Sequence, residues 1–111
     1  MSGKLVFEGE YLNDKKHGKA KEYSDGNLRF EGEYLNGLRW KGKEYNPYDG
    51  NLIFEGEYLN VIKNGKGKEY YHGNLRFEGE YLNGKKNGKG KEYDIFTGKF
   101  IFEGEYLNDK E

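Results

Sequence analysis

The chain has 111 residues, a net charge of −1 and no cysteine. Near-neutrality excludes a global field for nucleic acid or acidic membranes, and the missing thiols exclude disulfide and thiolate-ligand chemistry. Only 33% of residues are hydrophobic against 35% charged, a balance typical of disorder, but eleven Tyr, seven Phe and one Trp recur in register. They indicate a folded chain with a thin core built from rings.

No apolar run approaches membrane-spanning length, and Met1-Ser2-Gly3-Lys4 contains no secretory h-region. A cytoplasmic location is expected, with peripheral membrane attachment as the alternative. From Phe7 onward one phrase, Phe-Glu-Gly-Glu-Tyr-Leu-Asn, occurs five times, starting at Phe7, Phe30, Phe54, Phe77 and Phe102. A second phrase answers the first four copies: Gly18 to Tyr23, Trp40 to Tyr45, Gly65 to Tyr70 and Gly88 to Tyr93. A fixed period of this size marks a repeat architecture. Residues 1–111 are read as one array, with units at the first four Phe positions and a partial unit at Phe102.

Each unit reads as a β-hairpin. In the fourth, Leu75, Phe77, Gly79 and Tyr81 alternate with Arg76, Glu78 and Glu80, the period of a strand with one apolar and one polar face. Leu82 to Asn87 is rich in turn formers. Gly88 to Tyr93 alternates again and returns. No apolar i, i+3, i+4 pattern suggests a helix. Asp25-Gly26 and His72-Gly73 mark tight connections between hairpins; Tyr45 to Phe54, with Pro47, and Tyr93 to Phe102 are longer. The expected fold is all-β: nine strands in an elongated, twisted, single-layer antiparallel sheet.

Glu-Gly-Glu on one strand faces Lys-Gly-Lys on the next, so opposite charges are expected to meet across one face. On the other face a Phe or Tyr ring can lie over a glycine that lacks a Cβ. Glycines such as Gly88 and Gly90 also fit β-bulges.

Three departures stand out. Ala20 replaces a glycine; Trp40 replaces another after a loop one residue shorter; and Val61-Ile62 replaces a turn-forming Gly-Lys. Trp40 either anchors a partner or fills space left by the altered loop. Ile62 with Leu38 is either an exposed apolar pair or a packing repair. His17 and His72 read as loop residues, so no metal site is expected. No carboxylate stands apart as a catalytic acid, and there is no phosphate loop or nucleophile constellation. No enzyme activity and no cofactor are expected.

Phe77, Gly79 and Tyr81, followed by Gly84, Lys85, Gly88 and Gly90 and then Tyr93 and Gly98, resemble the MORN (membrane occupation and recognition nexus) repeat. The resemblance covers essentially the whole chain, and extends to related repeats of some bacterial antitoxin-type proteins. It implies a single-layer hairpin array and a scaffold that binds proteins along a groove, self-associates or sits at membranes.

Three functions are weighed. A single sheet cannot cover both its faces, so the first is a protein-interaction scaffold. Its aromatic and glycine-lined face would take a peptide or helix through Phe30, Tyr34, Phe54, Tyr58, Phe77 and Tyr81, with Trp40 for specificity. The second is binding to anionic phospholipid through a row of loop cations: Lys15, Lys16, Arg39, Lys63, Lys85 and Lys86. The third is a building block for longer arrays, natural or engineered. Both terminal strands are of the Glu-Gly-Glu type, so end-to-end pairing sets acid against acid and a monomer is expected.

Overall fold

The computed structural model describes residues 4–109, with the backbone alone at Phe100. Nine strands follow one another: β1 (Leu5–Leu12), β2 (Lys15–Ser24), β3 (Asn27–Leu35), β4 (Leu38–Tyr45), β5 (Leu52–Leu59), β6 (Ile62–Tyr71), β7 (Asn74–Leu82), β8 (Lys85–Tyr93) and β9 (Phe100–Tyr106). Their order in space is their order in sequence, and every pair is antiparallel. There is no helix among the described residues. The sheet measures 43 × 28 × 21 Å.

The turns are tighter than their composition suggests. Leu82 to Asn87 is not one long turn: Leu82 already pairs with Lys85, leaving Asn83 and Gly84 between them. Their φ angles of 52° and 84° are both positive, as a type I′ turn requires. Asn13-Asp14, Asn36-Gly37 and Asn60-Val61 close the other hairpins the same way. Val61 holds φ 71°, a left-handed conformation that a β-branched side chain disfavours. The longer connections close with Gly50 and Gly98 at φ 78°, each donating its N–H to the residue four earlier, Asn46 or Asp94.

Neighbouring units are stitched at these turns. Gly37, Gly84 and Asp109 donate backbone N–H to the carbonyls of Lys16, Lys63 and Lys86 in the preceding hairpin, each at 2.8 Å. Asn83 and Asn108 donate to the side-chain oxygens of Asn64 and Asn87.

The registers divide the sheet into two faces. A single row of glycines, broken only by Ala20, runs across all nine strands from Gly9 to Gly104. On one face the rings lie down on this row. A Cβ built on Gly67 would stand 2.8 Å from the Phe54 ring and 2.9 Å from that of Tyr81; one on Gly90 would meet Phe77 at 2.7 Å. The missing Cβ lets each ring reach the backbone. Phe30, Phe54 and Phe77 are consequently fully buried in a sheet only one layer thick.

The short loop before Trp40 is also resolved. In three hairpins β2, β6 and β8 carry two extra residues between the turn and the glycine row: His17-Gly18, Asn64-Gly65 and Asn87-Gly88. Each Gly there has positive φ, from 78° to 99°. β4 carries one extra residue, Trp40. The turn is unchanged; the missing residue comes out of the bulge, and with it goes the need for glycine. His17 accordingly lies in a bulge and His72 in a turn.

Two substitutions test this backbone account in opposite directions. Gly67→Ala drives a methyl into two rings and should cost about 1–3 kcal/mol. Val61→Gly relieves strain of about 1–3 kcal/mol against a chain-entropy cost of roughly 0.5–1 kcal/mol, a net gain near ~1 kcal/mol. Urea unfolding of both variants should move the midpoint down for the first and up for the second.

Candidate functional site

The ring face is a continuous ladder. Within a strand Phe meets the Tyr four residues on, as in Phe54–Tyr58 at 5.7 Å between centroids. Between units Phe7 meets Tyr34 at 5.3 Å, Phe30 meets Tyr58 at 6.0 Å, Phe54 meets Tyr81 at 5.6 Å and Phe77 meets Tyr106 at 5.3 Å. All are edge-to-face, and such pairs contribute about 0.5–1.5 kcal/mol each beyond burial.

Three of these phenols reach back one strand to a carboxylate on the same face. Tyr58 donates to Glu44 at 2.5 Å, Tyr81 donates to Glu69 and Tyr106 to Glu92. Burial, then the Glu44 or Glu69 acceptor, pushes the Tyr58 and Tyr81 phenols far above the usual range. In the second unit Arg39 spans Glu22 with two hydrogen bonds, at 3.1 and 3.3 Å, while its guanidinium lies 4.0 Å over Phe30. Glu22 is buried, and this pair compensates its charge.

The cations expected at the loop edge separate into two groups. Strand alternation turns Lys16, Arg39, Lys63 and Lys86 inward, over Phe7, Phe30, Phe54 and Phe77 at 4.4, 4.0, 4.2 and 4.3 Å. Lys15 and Lys85 stay exposed on the opposite side. Of the rings expected to face a partner, Phe30, Tyr34, Phe54, Tyr58, Phe77 and Tyr81 are all at most 6% exposed, packed on one another and beneath these cations. Trp40 is 38% exposed, with Lys41 Nζ 4.6 Å over its ring.

The opposite face is the open one. The sheet curls around a trough of about 1120 Å³ that runs from β3 to β9. Its walls are the Glu-x-Glu and Lys-x-Lys side chains, and its floor is the glycine row. Each strand contributes one sign: Glu31 and Glu33 on β3, Lys41 and Lys43 on β4, Glu55 and Glu57 on β5. Acidic and basic stripes therefore alternate at the strand spacing of about 4.8 Å.

The register sets every such Glu beside Lys, yet close ion pairs are few. Among the described residues, Lys41–Glu33 at 3.7 Å and Lys91–Glu103 at 3.9 Å are the Lys–Glu contacts within bridging distance. The carboxylates have other donors. Tyr23, Tyr45, Tyr70 and Tyr93 donate to Glu8, Glu31, Glu55 and Glu78. Glu57 and Glu80 accept the backbone N–H of Lys66 and Lys89, at 2.9 Å, where the bulges leave them unpaired. Exposed Lys–Glu pairs gain little against these alternatives.

A third feature lies at the turn edge, on the trough side. Leu35 pairs with Leu38 and Leu59 with Ile62. All four are 42–58% exposed, as is Val61. In the outer hairpins Lys15 and Lys85 replace the second member of the pair. An apolar centre is thus flanked by a cation at each end. The sequence signalled the Leu38 and Ile62 half of this patch, and the Leu before the closing Asn of every repeated phrase was the unread signal for the rest. No grouping of His, Cys, Asp or Glu fit to hold a metal occurs among the described residues.

These features define a class: an open meander of repeated hairpins, held by a ring-on-glycine spine. The family model for the MORN repeat matches at residues 7–28, 54–76 and 77–94. The chain belongs to the MORN repeat family, a non-enzymatic repeat scaffold generally associated with interaction. The second unit lies outside the matched segments, and it is the unit whose bulge glycine is replaced by Trp40. A comparison with curated proteins finds no match.

The phenols set the alkaline limit. A folded-state pKa raised above the unfolded value stabilises the fold fully below about pH 10, the unfolded tyrosine value, and loses that contribution as pH rises further. Phenolate absorbance and circular dichroism followed together should show Tyr58 and Tyr81 ionising only as the sheet unfolds. Ionisation of every tyrosine with the sheet intact would contradict the buried phenol–carboxylate pairs.

Proposed function

We propose that the chain is a non-enzymatic scaffold whose protein partner lies along the striped trough, with the aromatic face as the structural spine beneath it. The observation that carries this reading is the division of labour between faces. The rings spend their surface on each other, on glycine and on the capping cations, whereas the trough stays open over seven strands. Its alternating stripes favour a segment whose own charges alternate to match, and reject one of uniform sign. Trp40, whose ring lies under the wall residue Lys41, adds specificity.

The test begins with panning a random peptide library on the immobilised chain and mapping the enriched peptide by amide chemical shifts. The expected footprint is β3 to β9 on the trough side. Replacing Lys43 and Lys68 together by Gln should weaken binding at least about tenfold, the scale of losing one charged contact, at an unchanged melting temperature. A footprint elsewhere overturns the trough assignment.

A second reading is favoured by the turn edge, where exposed Leu35, Leu38, Leu59 and Ile62 lie between Lys15 and Lys85. Apolar side chains flanked by cations suit the surface of an anionic bilayer. Flotation with anionic vesicles at low salt should then be lost in the Leu35→Ser, Leu59→Ser double variant. Flotation unchanged by those substitutions excludes this edge as the contact.

A further inference from the structure

We infer that the trough, taken as the partner face proposed above, holds a left-handed polyproline segment of another protein with one basic and one acidic residue in every three. Three carboxylates set the pattern. Glu31, Glu55 and Glu78 stand on β3, β5 and β7 in one wall, each half-buried. Each accepts a hydrogen bond from a phenol: Tyr45 at 3.3 Å, Tyr70 at 3.4 Å and Tyr93 at 2.6 Å. The phenols orient these carboxylates before any ligand arrives, so less is lost in ordering them. Between them stand Lys43 and Lys68, exposed and without an ion pair among the described residues. The register runs this wall as Glu31, Lys43, Glu55, Lys68, Glu78 and Lys91 without a break.

Like charge therefore recurs on every second strand, about 9.6 Å apart. That interval selects among backbones lying along the trough. A polyproline helix repeats one face every three residues, about 9.3 Å. An α-helix repeats it every seven, about 10.5 Å, and an extended strand every two, about 6.7 Å. The curl of the sheet around the trough brings side-chain tips closer than their backbones. The interval thus moves toward the polyproline value and away from the helical one. The two walls also rise only two residues apart on each strand, as at Glu31 and Glu33, about 6.7 Å. An α-helix of about 10 Å diameter rides above the floor of such a slot.

The floor sets the composition. Its glycines are paired on both sides, Gly56 with Gly42 and Gly67 and Gly67 with Gly56 and Gly79, so their amides are engaged in the ladders. An incoming N–H finds no acceptor there, and proline brings none. The wall lysines can donate to the carbonyls that proline keeps. In each triplet the basic residue meets a phenol-held carboxylate. The acidic residue meets the lysines of the other wall, Lys66 and Lys89 among them, and proline faces the glycines. Charge of both signs, in step with the strands, gives the selection. A second copy of this chain does not supply the segment, because its sequence holds a single proline, Pro47.

The probe is a capped peptide of four Pro-Lys-Glu triplets, about 37 Å long, titrated into the full chain at physiological salt and read by amide chemical shifts. Saturable shifts are expected along the trough walls from β3 to β9. A peptide of four Pro-Pro-Lys-Glu quartets keeps the backbone and the charges but repeats every ~12 Å. It should bind at least about tenfold more weakly. Glu55→Gln keeps an acceptor for Tyr70, so the melting temperature should hold, while the triplet peptide weakens about tenfold. Equal binding of triplets and quartets, tighter binding of a helical peptide with the same charges at heptad spacing, or full affinity in Glu55→Gln overturns the polyproline assignment and leaves the trough as the partner face. No saturable shift, or a footprint outside the trough, also overturns it, and the trough then stands or falls on the footprint of the library peptide.

Discussion

The structure depends on one contact, the edge of a phenylalanine ring resting on the bare backbone of glycine. The Phe54 ring lies where Cβ atoms of Gly56 and Gly67 would stand, 2.8 Å away in each case. A sheet ordinarily needs a second layer to bury its apolar face. Here the ring drops to the level of the backbone and the sheet becomes its own second layer. Full burial of three phenylalanines within a single layer follows, and so do the edge-on tyrosines and the cations that close the top of the ladder.

Unit 1 shows what that contact tolerates. Ala20 occupies a place that is glycine in the other returning strands. Its ring neighbour Phe7 belongs to the first strand and is only half-buried, so it has room to give way to a methyl. Inside the array the same methyl meets rings held from both sides.

The strand order, the two faces and the ring-on-glycine packing were legible in the sequence because each rests on strict period-two alternation and on the absence of a Cβ. What escaped were features set by single residues that break the alternation. Asn87 reads as the tail of a turn, but together with Gly88, a glycine that already fitted a β-bulge, it forms the bulge, and the pairing of Leu82 with Lys85 shows the difference. The six loop cations looked equivalent; a shift of one position sends Lys86 onto Phe77 and leaves Lys85 outside. The Glu–Lys pairing was right as register but rarely becomes contact. Charge alone does not reveal that Tyr93 and the backbone of Lys89 claim Glu78 and Glu80 first. The trough was hidden for the same reason, since composition does not tell which way a sheet curls.

The ladder also determines how the molecule yields to force. Because spatial order equals sequence order, pulling the two ends apart loads one interstrand ladder at a time, from an end, as a zipper opens. The Phe7–Tyr34 contact ties β1 to β3 across β2, so loosening one strand strips a ring from the next unit. The unit of rupture is therefore the hairpin, not the strand. Each rupture frees roughly 80 Å of contour at about 3.5 Å per residue, and the chain lengthens under load in equal steps, as a tether with graded give.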